Sequence, residues 1–287
     1  MDTKFLESLI AVAELGSITA AARQRNLTPG AVAQRVASLE SEIGATLLDR
    51  SGRGMSLTAI GSQVILRARA IVQDARSLRT LITEQSISGT IRIGAISTAI
   101  AGFLPEVLQS VSKSFPGVDV YIVPGVSNAL YRQVIDRELD AAIFVVPDFK
   151  LPKTCNAVVF REEPLIVLAS NALKASGAHE LLRKYPLIRY DRTSWGGRLA
   201  DAYLKRSRID PIERYEIDSL EAIAVLVDRG LGVSLLPEWA RPWPEGLHVR
   251  KWQLPRSELP RRIGLFWNQA SPWGAVIDLM AHTLKRD

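Results

Sequence analysis

The stretch SITAAARQRNLTPGAVAQRVASLESEIG, residues 17–44, establishes the architecture of the N-terminal part of the chain. Ser17 is a good N-cap for a short helix, because its hydroxyl accepts a hydrogen bond from a free N–H of the first turn. Asn26 tolerates the left-handed conformation that closes a helix. Thr28 is a second N-cap, and Pro29 falls at the first helical position, where a missing N–H costs nothing. Two short helices joined by this tight turn predict a helix-turn-helix, a motif typical of DNA binding.

The second helix, which we expect to end near Ile43 before Gly44, has two different faces. Apolar residues at i, i+4, i+7 and i+11 form the predicted inward face: Val32, Val36, Leu39 and Ile43. The predicted outward face carries Gly30, Ala33, Gln34 and Ala37, with Arg35 at its border. A helix that enters the major groove needs such a small, polar face, because bulky side chains would hold it away from the base edges. The alternative interpretation is a plain three-helix bundle with a surface hairpin.

Residues 47–57 predict a short hairpin with a glycine-containing tip, Ser51 to Gly54. Arg53 at this tip can reach a minor groove, and Arg50 joins it among the predicted DNA contacts. Thr58 then caps a long helix that we expect to reach about residue 85. This helix carries an apolar stripe that needs a partner, formed by Ile65, Ala68, Val72, Ala75 and Ile82.

From Thr90 onward the pattern alternates between strands and helices, which predicts α/β structure with a mainly parallel sheet. The first βαβαβ unit comprises strands 91–96, 118–123 and 140–146 with helices 104–111 and 129–137. A second unit comprises strands 165–169, 187–190 and 232–236 with helices 198–206 and 220–229. We expect the segment 241–260, rich in Pro and Trp, to be irregular, and a strand 263–267 and a helix 273–284 to close the chain.

The composition limits the possible classes of protein but does not indicate a function. The 287 residues carry a net charge of +6, but residues 1–88 contribute only +2 (ten Lys/Arg against eight Asp/Glu), so charge alone is weak support for nucleic-acid binding. No apolar run is long enough for a membrane span, and no leader pattern opens the chain. With one cysteine, Cys155, the chain has no internal disulfide, which suits a reducing cytosol. We therefore expect a cytoplasmic protein without membrane contact.

The N-terminal sequence resembles the LysR-type transcriptional regulators. The matching residues are Phe5, Ala13 to Ala22, Leu27-Thr28, Ala31-Val32, Val36, Leu39-Glu40, Leu47 to Arg50, Gly52 to Gly54, Leu57-Thr58 and Gly61. Further phrases stand where the family's effector domain has similar ones: Gly89 to Gly94, Phe115 to Val118, Leu139 to Ile143 and Gly230 to Pro237. The resemblance thus covers nearly the whole chain.

This resemblance implies a winged helix-turn-helix over residues 1–58, a linker and dimerisation helix over 59–88, and a two-lobed, periplasmic-binding-protein-like effector domain over 89–287. Lobe 1 is expected at about 89–160 and 266–287, and lobe 2 at about 161–265, because the last strand and helix return to the first lobe in the family. The implied function is regulation of transcription by a homodimer or homotetramer that binds an interrupted inverted repeat of double-stranded DNA, responds to a small effector and affects RNA polymerase.

The recognition helix departs from the family pattern, which commonly reads Ser-Gln-Pro-Ala, a hydrophobic residue and Ser-Arg-Gln. This chain has Thr28-Pro29-Gly30-Ala31-Val32-Ala33-Gln34-Arg35 in the same span. A hydroxyl is lost at Ala33 and the Arg-Gln pair is reversed. We expect Gln34 and Arg35 to read bases directly, and Thr28 with the helix N-terminus to bind a phosphate.

Effector contacts are expected at the carboxyl ends of strands, between the two lobes. The candidates in the first lobe are Ser97, Thr98, Gly125, Ser127, Asn128, Val146 and Pro147, and in the second lobe Arg192, Thr193, Ser194 and Trp195. Ser97 or Thr98 could instead be a mere N-cap, and Arg192 a solvated loop charge. The hypothesis for the effector is an anionic metabolite, with or without an aromatic ring.

No motif specifies a reaction. His179, His248 and His282 lack metal-ligand spacing, and Cys155 has no nearby histidine. Neither a Walker-type loop nor a Gly-x-Ser-x-Gly elbow occurs, so we expect no enzyme, metal or cofactor. The alternatives are a solute-binding protein of a transport system, which would share the two-lobed fold, and an α/β enzyme. The N-terminal helices oppose the first and the missing catalytic set opposes the second.

Overall fold

The computed structural model describes residues 2–49, 54–80, 87–255 and 260–285. The chain forms two compact units. The first unit extends to Ile87 and includes the short segments Asp136–Glu138 and Ala270–Pro272. The second unit comprises Ser88–Ile135, Leu139–Gln269 and the C-terminal segment from Trp273.

The first unit consists of helices and one small hairpin. Its elements are α1 (Thr3–Leu15), α2 (Ile18–Gln24), α3 (Pro29–Ile43), β1 (Leu48–Asp49), β2 (Ser56–Leu57) and α4 (Ala59–Thr80). Gly16 ends α1 at φ 61°, a left-handed conformation that glycine adopts without strain. Ser17 caps α2 and Asn26 has φ 52°, as the sequence predicts. The predicted helix-turn-helix is therefore confirmed as a local structure.

One hydrophobic core joins all four helices of this unit. Its fully buried members are Leu6, Leu9, Val12, Ala21, Ala22, Val32, Leu39 and Leu47. Three residues of the predicted α4 stripe, Ile65, Ala68 and Val72, are buried in the same core. The partner of that stripe is thus α1 and its neighbours in the same chain, whereas Ile82 and the predicted helix end near Gln85 lie outside the described residues.

The second unit contains two lobes. The elements of the first lobe are β3 (Gly89–Ala95), α5 (Ser97–Gly102), α6 (Leu104–Ser114), β4 (Val118–Pro124), α7 (Ser127–Ile135), β5 (Ala141–Val145), β6 (Cys155–Glu163), β12 (Arg261–Asn268) and α11 (Gly274–Leu284). Its sheet has the order β4-β3-β5-β12-β6, with β3 parallel to β4 and β5 and with β12 antiparallel to both of its neighbours. The predicted parallel βαβαβ unit is therefore confirmed.

The second lobe contains β7 (Leu165–Ser170), α8 (Ala178–Lys184), β8 (Leu187–Tyr190), α9 (Trp195–Arg206), β9 (Glu213–Ile217), α10 (Leu220–Asp228), β10 (Ser234–Pro237) and β11 (Val249–Gln253). Strands β10 and β11 flank β7 in antiparallel pairs, and β8 pairs with β9 in parallel. A parallel bridge between Leu187 and Val233 places β8 beside the start of β10. The carboxyl ends of β8, β9 and β10 consequently meet at one edge.

Three features differ from the sequence-based expectations. The segment 241–260 is not wholly irregular, because it contains β11, an edge strand whose charged residues hide its alternation. Strands β6 and β9 and helices α5 and α8 were not predicted. The lobe crossing expected near Leu265 falls inside β12, which belongs to the first-lobe sheet from Arg261 onward, and β6 stays in that sheet through Glu163.

No single helix within the described ranges is long and apolar enough to cross a membrane, and the pair of α1 and α2, which passes by length and composition, is bent by 119°. No group of three or more His, Cys, Asp or Glu side chains in these same ranges could hold a metal ion.

Candidate functional site

Helix α3 presents an exposed N-terminus. The Thr28 hydroxyl accepts a hydrogen bond from the Ala31 N–H at 3.2 Å, and Pro29 occupies the first helical position. Thr28, Pro29 and Gly30 are all exposed, and a Cβ at Gly30 would meet nothing within 4 Å. The first turn of α3 is therefore open to a partner that approaches along the helix axis.

The two faces of α3 differ as the spacing predicts, with one exception. Val32, Val36 and Leu39 are buried. Ile43, predicted to face inward, is 36% exposed, because α3 ends there and reaches past the core. On the outward face Gln34 and Ala37 are exposed, while Ala33 and Arg35 are half-buried.

A side chain of α3 holds the hairpin through two hydrogen bonds. One carboxylate oxygen of Glu40 accepts hydrogen bonds from the N–H groups of Leu47 at 2.7 Å and Leu48 at 3.1 Å. Gly61 in α4 lies so close to the Leu47 carbonyl that a Cβ would stand 2.0 Å from its oxygen. These contacts orient the hairpin on α3 and α4, whereas the predicted DNA contacts Arg50 and Arg53 lie outside the described residues.

In the first lobe the predicted effector residues follow three adjacent strands. The parallel register pairs Ala95 with Pro124 and with Ile143, so the residues after β3, β4 and β5 share one edge of the sheet. Ser97 and Ser127 are the first residues of α5 and α7, and the exposed Asn128 follows Ser127. Half-buried Val146 follows β5. The structure thus brings these residues to the same edge.

The alternative that Ser97 or Thr98 is an N-cap is wrong, because Ile96 occupies the N-cap position of α5 and makes no side-chain cap. Thr98 is instead 4% exposed, and its hydroxyl accepts a hydrogen bond from Arg261 Nη2 at 3.3 Å. The Ser127 hydroxyl is also engaged, since it accepts a hydrogen bond from the Val145 N–H at 3.3 Å.

In the second lobe the side chain of Arg192 is already paired. Its Nε donates to Glu216 Oε1 at 2.9 Å and its Nη2 donates to Glu213 Oε2 at 2.6 Å. These hydrogen bonds raise the pKa of the guanidinium above its usual range. Thr193 likewise donates to Asp191 through its N–H and its hydroxyl. Both residues therefore have partners within their own lobe.

Helix α9 begins earlier than predicted, so Trp195 lies on a helix rather than in a loop. The Ser194 hydroxyl caps α9 by accepting a hydrogen bond from the Gly197 N–H at 3.0 Å. A Cβ at Gly197 would stand 1.9 Å from the Asp191 carbonyl oxygen, and one at Gly196 would stand 2.8 Å from the Tyr190 ring. Because these two positions carry no side chain, the first turn of α9 packs directly on the end of β8. This packing fixes the backbone position of Trp195.

The Trp195 indole contacts aromatic rings of the first lobe. Its ring centroid lies 5.7 Å from that of Tyr131, 5.9 Å from that of Phe144 and 5.6 Å from that of Phe149. The interplanar angles of 62° to 87° are the edge-to-face geometry that aromatic pairs prefer. No pattern in the sequence indicates that these rings would meet.

A buried ion pair that the sequence analysis missed lies beside Thr98. Arg261, 1% exposed, donates from Nε to Glu163 Oε2 at 2.7 Å, and Glu163 Oε1 accepts a hydrogen bond from the Ala240 N–H at 3.1 Å. The Arg261 side chain also approaches Gly196. Arg261 thus touches both lobes, and only the antiparallel pairing of β12 with β6 brings it to Glu163.

Two titratable groups at the second-lobe edge are shifted. Burial raises the pKa of the Asp218 carboxyl, Asp191 adds to this rise, and Arg261 opposes it. Burial also raises the pKa of the Tyr190 hydroxyl, an effect that Arg261 partly offsets. Arg261 is therefore a positive charge that acts on both groups.

Two surface grooves lie away from these residues. A groove of about 750 Å³ lies between the α5–α6 region and residues 241–251, and another of about 590 Å³ lies beside α8 and Gln253. None of the sequence-predicted effector residues lines either groove.

Comparison with known proteins gives the same two-part division. Residues 3–62 match the model of the bacterial regulatory helix-turn-helix proteins of the lysR family. Residues 84–287 match the LysR substrate binding domain.

Curated relatives match over most of the chain. The HTH-type transcriptional regulator CzcR of Bacillus cereus is 30% identical over 241 residues, which cover 84% of this chain and 81% of that protein. The HTH-type transcriptional regulator YofA of Bacillus velezensis is 31% identical over 238 residues, which cover 83% of this chain and 81% of that protein.

Solved structures share the fold at lower identity. A full-length OxyR variant from Pseudomonas aeruginosa has a TM-score of 0.78 at 22% identity and covers 99% of this chain and 95% of its own. CbnR, solved in a complex with its target DNA, has a TM-score of 0.65 at 20% identity and covers 100% of this chain and 99% of its own.

A helix-turn-helix unit followed by a two-lobed α/β unit defines a DNA-binding regulator with an effector-binding domain. The chain belongs to the LysR family of transcriptional regulators. The alternative of a transport-system solute-binding protein is wrong, because the lysR-family helix-turn-helix model matches the N-terminal residues.

Proposed function

We propose that α3 lies in the major groove of the operator and that Gln34 and Arg35 contact base edges there. The observation that carries this proposal is the exposed, small and polar surface of Thr28, Pro29, Gly30 and Gln34 on a helix whose other face is buried. Ala33, half-buried beside Gln34, leaves room for close approach. The positive end of the helix dipole and the Gly30 N–H at the start of this 15-residue helix suit a phosphate.

The hairpin is proposed as the second DNA contact. Its base is fixed to α3 by Glu40, so Arg53 at the tip would reach the minor groove next to the major groove that α3 occupies, and Arg50 beside the tip would contact the same DNA.

We further propose that the regulator acts in the cytoplasm as a homodimer or homotetramer on an interrupted inverted repeat, and alters transcription through RNA polymerase. The apolar side chains of Leu66 and Ile71 on α4 are each 39% exposed, which supports α4 as part of a subunit contact.

The effector site is proposed at the edge where the first-lobe strands β3, β4 and β5 end, facing the start of α9. Ser97, Thr98, Ser127, Asn128 and Val146 would contribute from one side, and Ser194 and Trp195 from the other. Arg192 and Thr193 would contribute from the second lobe, where their side chains are held by Glu213, Glu216 and Asp191. Arg261, which pairs with Glu163 and lies beside Thr98, is proposed as a second cation for an anionic group.

Binding selection from random DNA tests the first proposal. Gln34→Ala should change the preferred sequence, because one bidentate base contact contributes about 1–3 kcal/mol of discrimination. Gln63→Ala, which removes another exposed glutamine, in α4, is the matched control and should keep the wild-type preference. An unchanged preference in the Gln34→Ala protein would exclude this residue from base readout.

Titration calorimetry of the full chain with benzoate and with benzylamine tests the effector chemistry, since the two probes share a ring and differ in charge. We expect benzoate to bind and benzylamine to fail. Binding of the amine alone would contradict an anionic effector and would favour the carboxylates Asp191 and Asp218 as the charged contacts.

A further inference from the structure

The contact between Trp195 and the first lobe joins the two lobes through aromatic rings. The half-buried indole of α9 lies against the rings of Tyr131, Phe144 and Phe149, with centroid distances between 5.6 and 5.9 Å. Trp195 comes from the second lobe, and the three rings come from α7, β5 and the residues after β5 in the first lobe. A side chain of one lobe therefore occupies an aromatic site of the other.

The walls of this aromatic site are supported independently of Trp195. Phe144 is fully buried, and its ring lies 5.4 Å from that of Phe266 on β12. The Tyr131 ring lies 5.3 Å from Phe266 and 5.6 Å from Phe149. Because these rings pack on one another, we expect the site to keep its shape when the indole leaves it.

The start of α9 holds the indole in place from the other side. Ser194 caps the helix, and Gly197 allows no side chain toward the Asp191 carbonyl oxygen. These contacts fix the backbone of Trp195, so its indole leaves the aromatic site either by rotation about its own side-chain bonds or when the second lobe moves away from the first. The indole contact couples the aromatic site to the separation of the two lobes.

We propose that Trp195 is an internal ligand of the effector cleft: its indole holds the lobes together in the absence of effector, and an effector with an aromatic ring takes its place against Tyr131, Phe144 and Phe149. This inference rests on the proposed effector cleft and deepens it. It assigns the class of ligand and identifies the contact that binding replaces. When one aromatic ring replaces another, the edge-to-face contacts are kept, so the replacement costs little free energy. Whether an effector displaces the indole then depends on the remaining groups of the effector.

Chemical rescue tests the inference in the full-length chain. Trp195→Ala should raise amide hydrogen exchange about tenfold at the end of β5 and in the loop after it, because several ring contacts between the lobes are lost. Free indole should then restore the wild-type exchange in this variant and should leave the wild-type protein unchanged, since its own indole fills the site.

Trp252→Ala is the matched control, because Trp252 is a half-buried tryptophan of the same lobe that packs on the second-lobe core under Arg250. Indole should not restore exchange at the end of β5 in that variant. Cyclohexanol, which has a ring without π electrons, should rescue Trp195→Ala at least about threefold less effectively than indole. Equal rescue by cyclohexanol would overturn the aromatic class of ligand.

Phe149→Leu provides a second variant if Trp195→Ala fails to fold. Phe149 is 50% exposed, so its replacement leaves the core intact and should raise the same exchange about threefold. Unchanged exchange in Phe149→Leu and Trp195→Ala, or no effect of indole on the latter, would overturn the proposal. The Gln34→Ala selection and the benzoate titration do not depend on this result. They would reveal a failure of the proposed function even if the indole experiment succeeded.

Discussion

The turn before α3 and the turn before α9 have the same kind of helix cap, but the residues that follow them differ in exposure. In each, a hydroxyl caps the helix by accepting an N–H three residues later: Thr28 from Ala31 at 3.2 Å and Ser194 from Gly197 at 3.0 Å. The first turn of α3 is exposed, whereas Trp195 in the first turn of α9 is packed against another lobe. Residues close in sequence determine the cap and the start of each helix. The tertiary structure determines what the first turn contacts.

The same contrast separates the two units. In the helix-turn-helix, residues close in sequence determine the geometry, so caps and spacing are sufficient to predict it. In the second unit the buried ion pair of Arg261 and Glu163 is formed by strand pairing across a large sequence separation. Mutations of residues that pair across a large sequence separation should therefore change the stability of the second unit most.

Loss of one partner of the buried ion pair should have the largest effect on stability. Glu163→Leu leaves the guanidinium of Arg261 buried without a carboxylate, and we expect the free energy of unfolding of the second unit to fall by about 3–5 kcal/mol. All six tryptophans lie in the second unit, so urea unfolding followed by tryptophan fluorescence measures that unit. The double variant Glu163→Leu with Arg261→Met should recover most of the loss, and a double variant as unstable as the single one would contradict the charge explanation.

An intermediate effect is expected at Glu40 in the first unit. Glu40→Ala removes the acceptor for the N–H groups of Leu47 and Leu48, which should cost about 1–3 kcal/mol locally and weaken DNA binding because the hairpin loses its orientation. Hydrogen exchange of these two amides and a gel shift measure the two effects. Glu40→Gln keeps an acceptor oxygen and should retain most of both, so equal losses in the two variants would argue against the hydrogen-bond role.

The smallest effect is expected at Asp218, and it should depend on pH. The pKa of this carboxyl is raised in the folded protein, so its contribution to stability is most favourable in acid and is lost as the pH rises through the folded pKa. Asp218→Asn should therefore raise the Tm at neutral pH, and the gain should vanish in acid, where the wild-type carboxyl is protonated in both states. Asp210→Asn, at an exposed position, serves as the control. A gain that is independent of pH would refute this account.

The cleft illustrates how far sequence-based prediction reaches. The carboxyl ends of β3, β4 and β5 follow from the alternation of strands and helices, and the predicted residues Ser97, Ser127 and Val146 do lie at that edge. The predicted cation Arg192, by contrast, pairs with Glu213 and Glu216 on β9, a strand that the sequence analysis did not identify. Because this strand was missed, the partners of Arg192 were not foreseen either.

Local patterns were enough to predict the helix-turn-helix, its caps and the buried and exposed faces of α3, because hydrogen bonds within a turn and the helical period act between near neighbours. They were also enough to predict the parallel strands of the first lobe, since each strand and crossover helix has its own pattern. The pairing of Arg261 with Glu163 and the meeting of the Trp195 indole with Tyr131, Phe144 and Phe149 became visible in the folded molecule alone. Such contacts depend on which surfaces the folded sheets bring within a few ångströms of each other, and no local pattern in the chain encodes that choice.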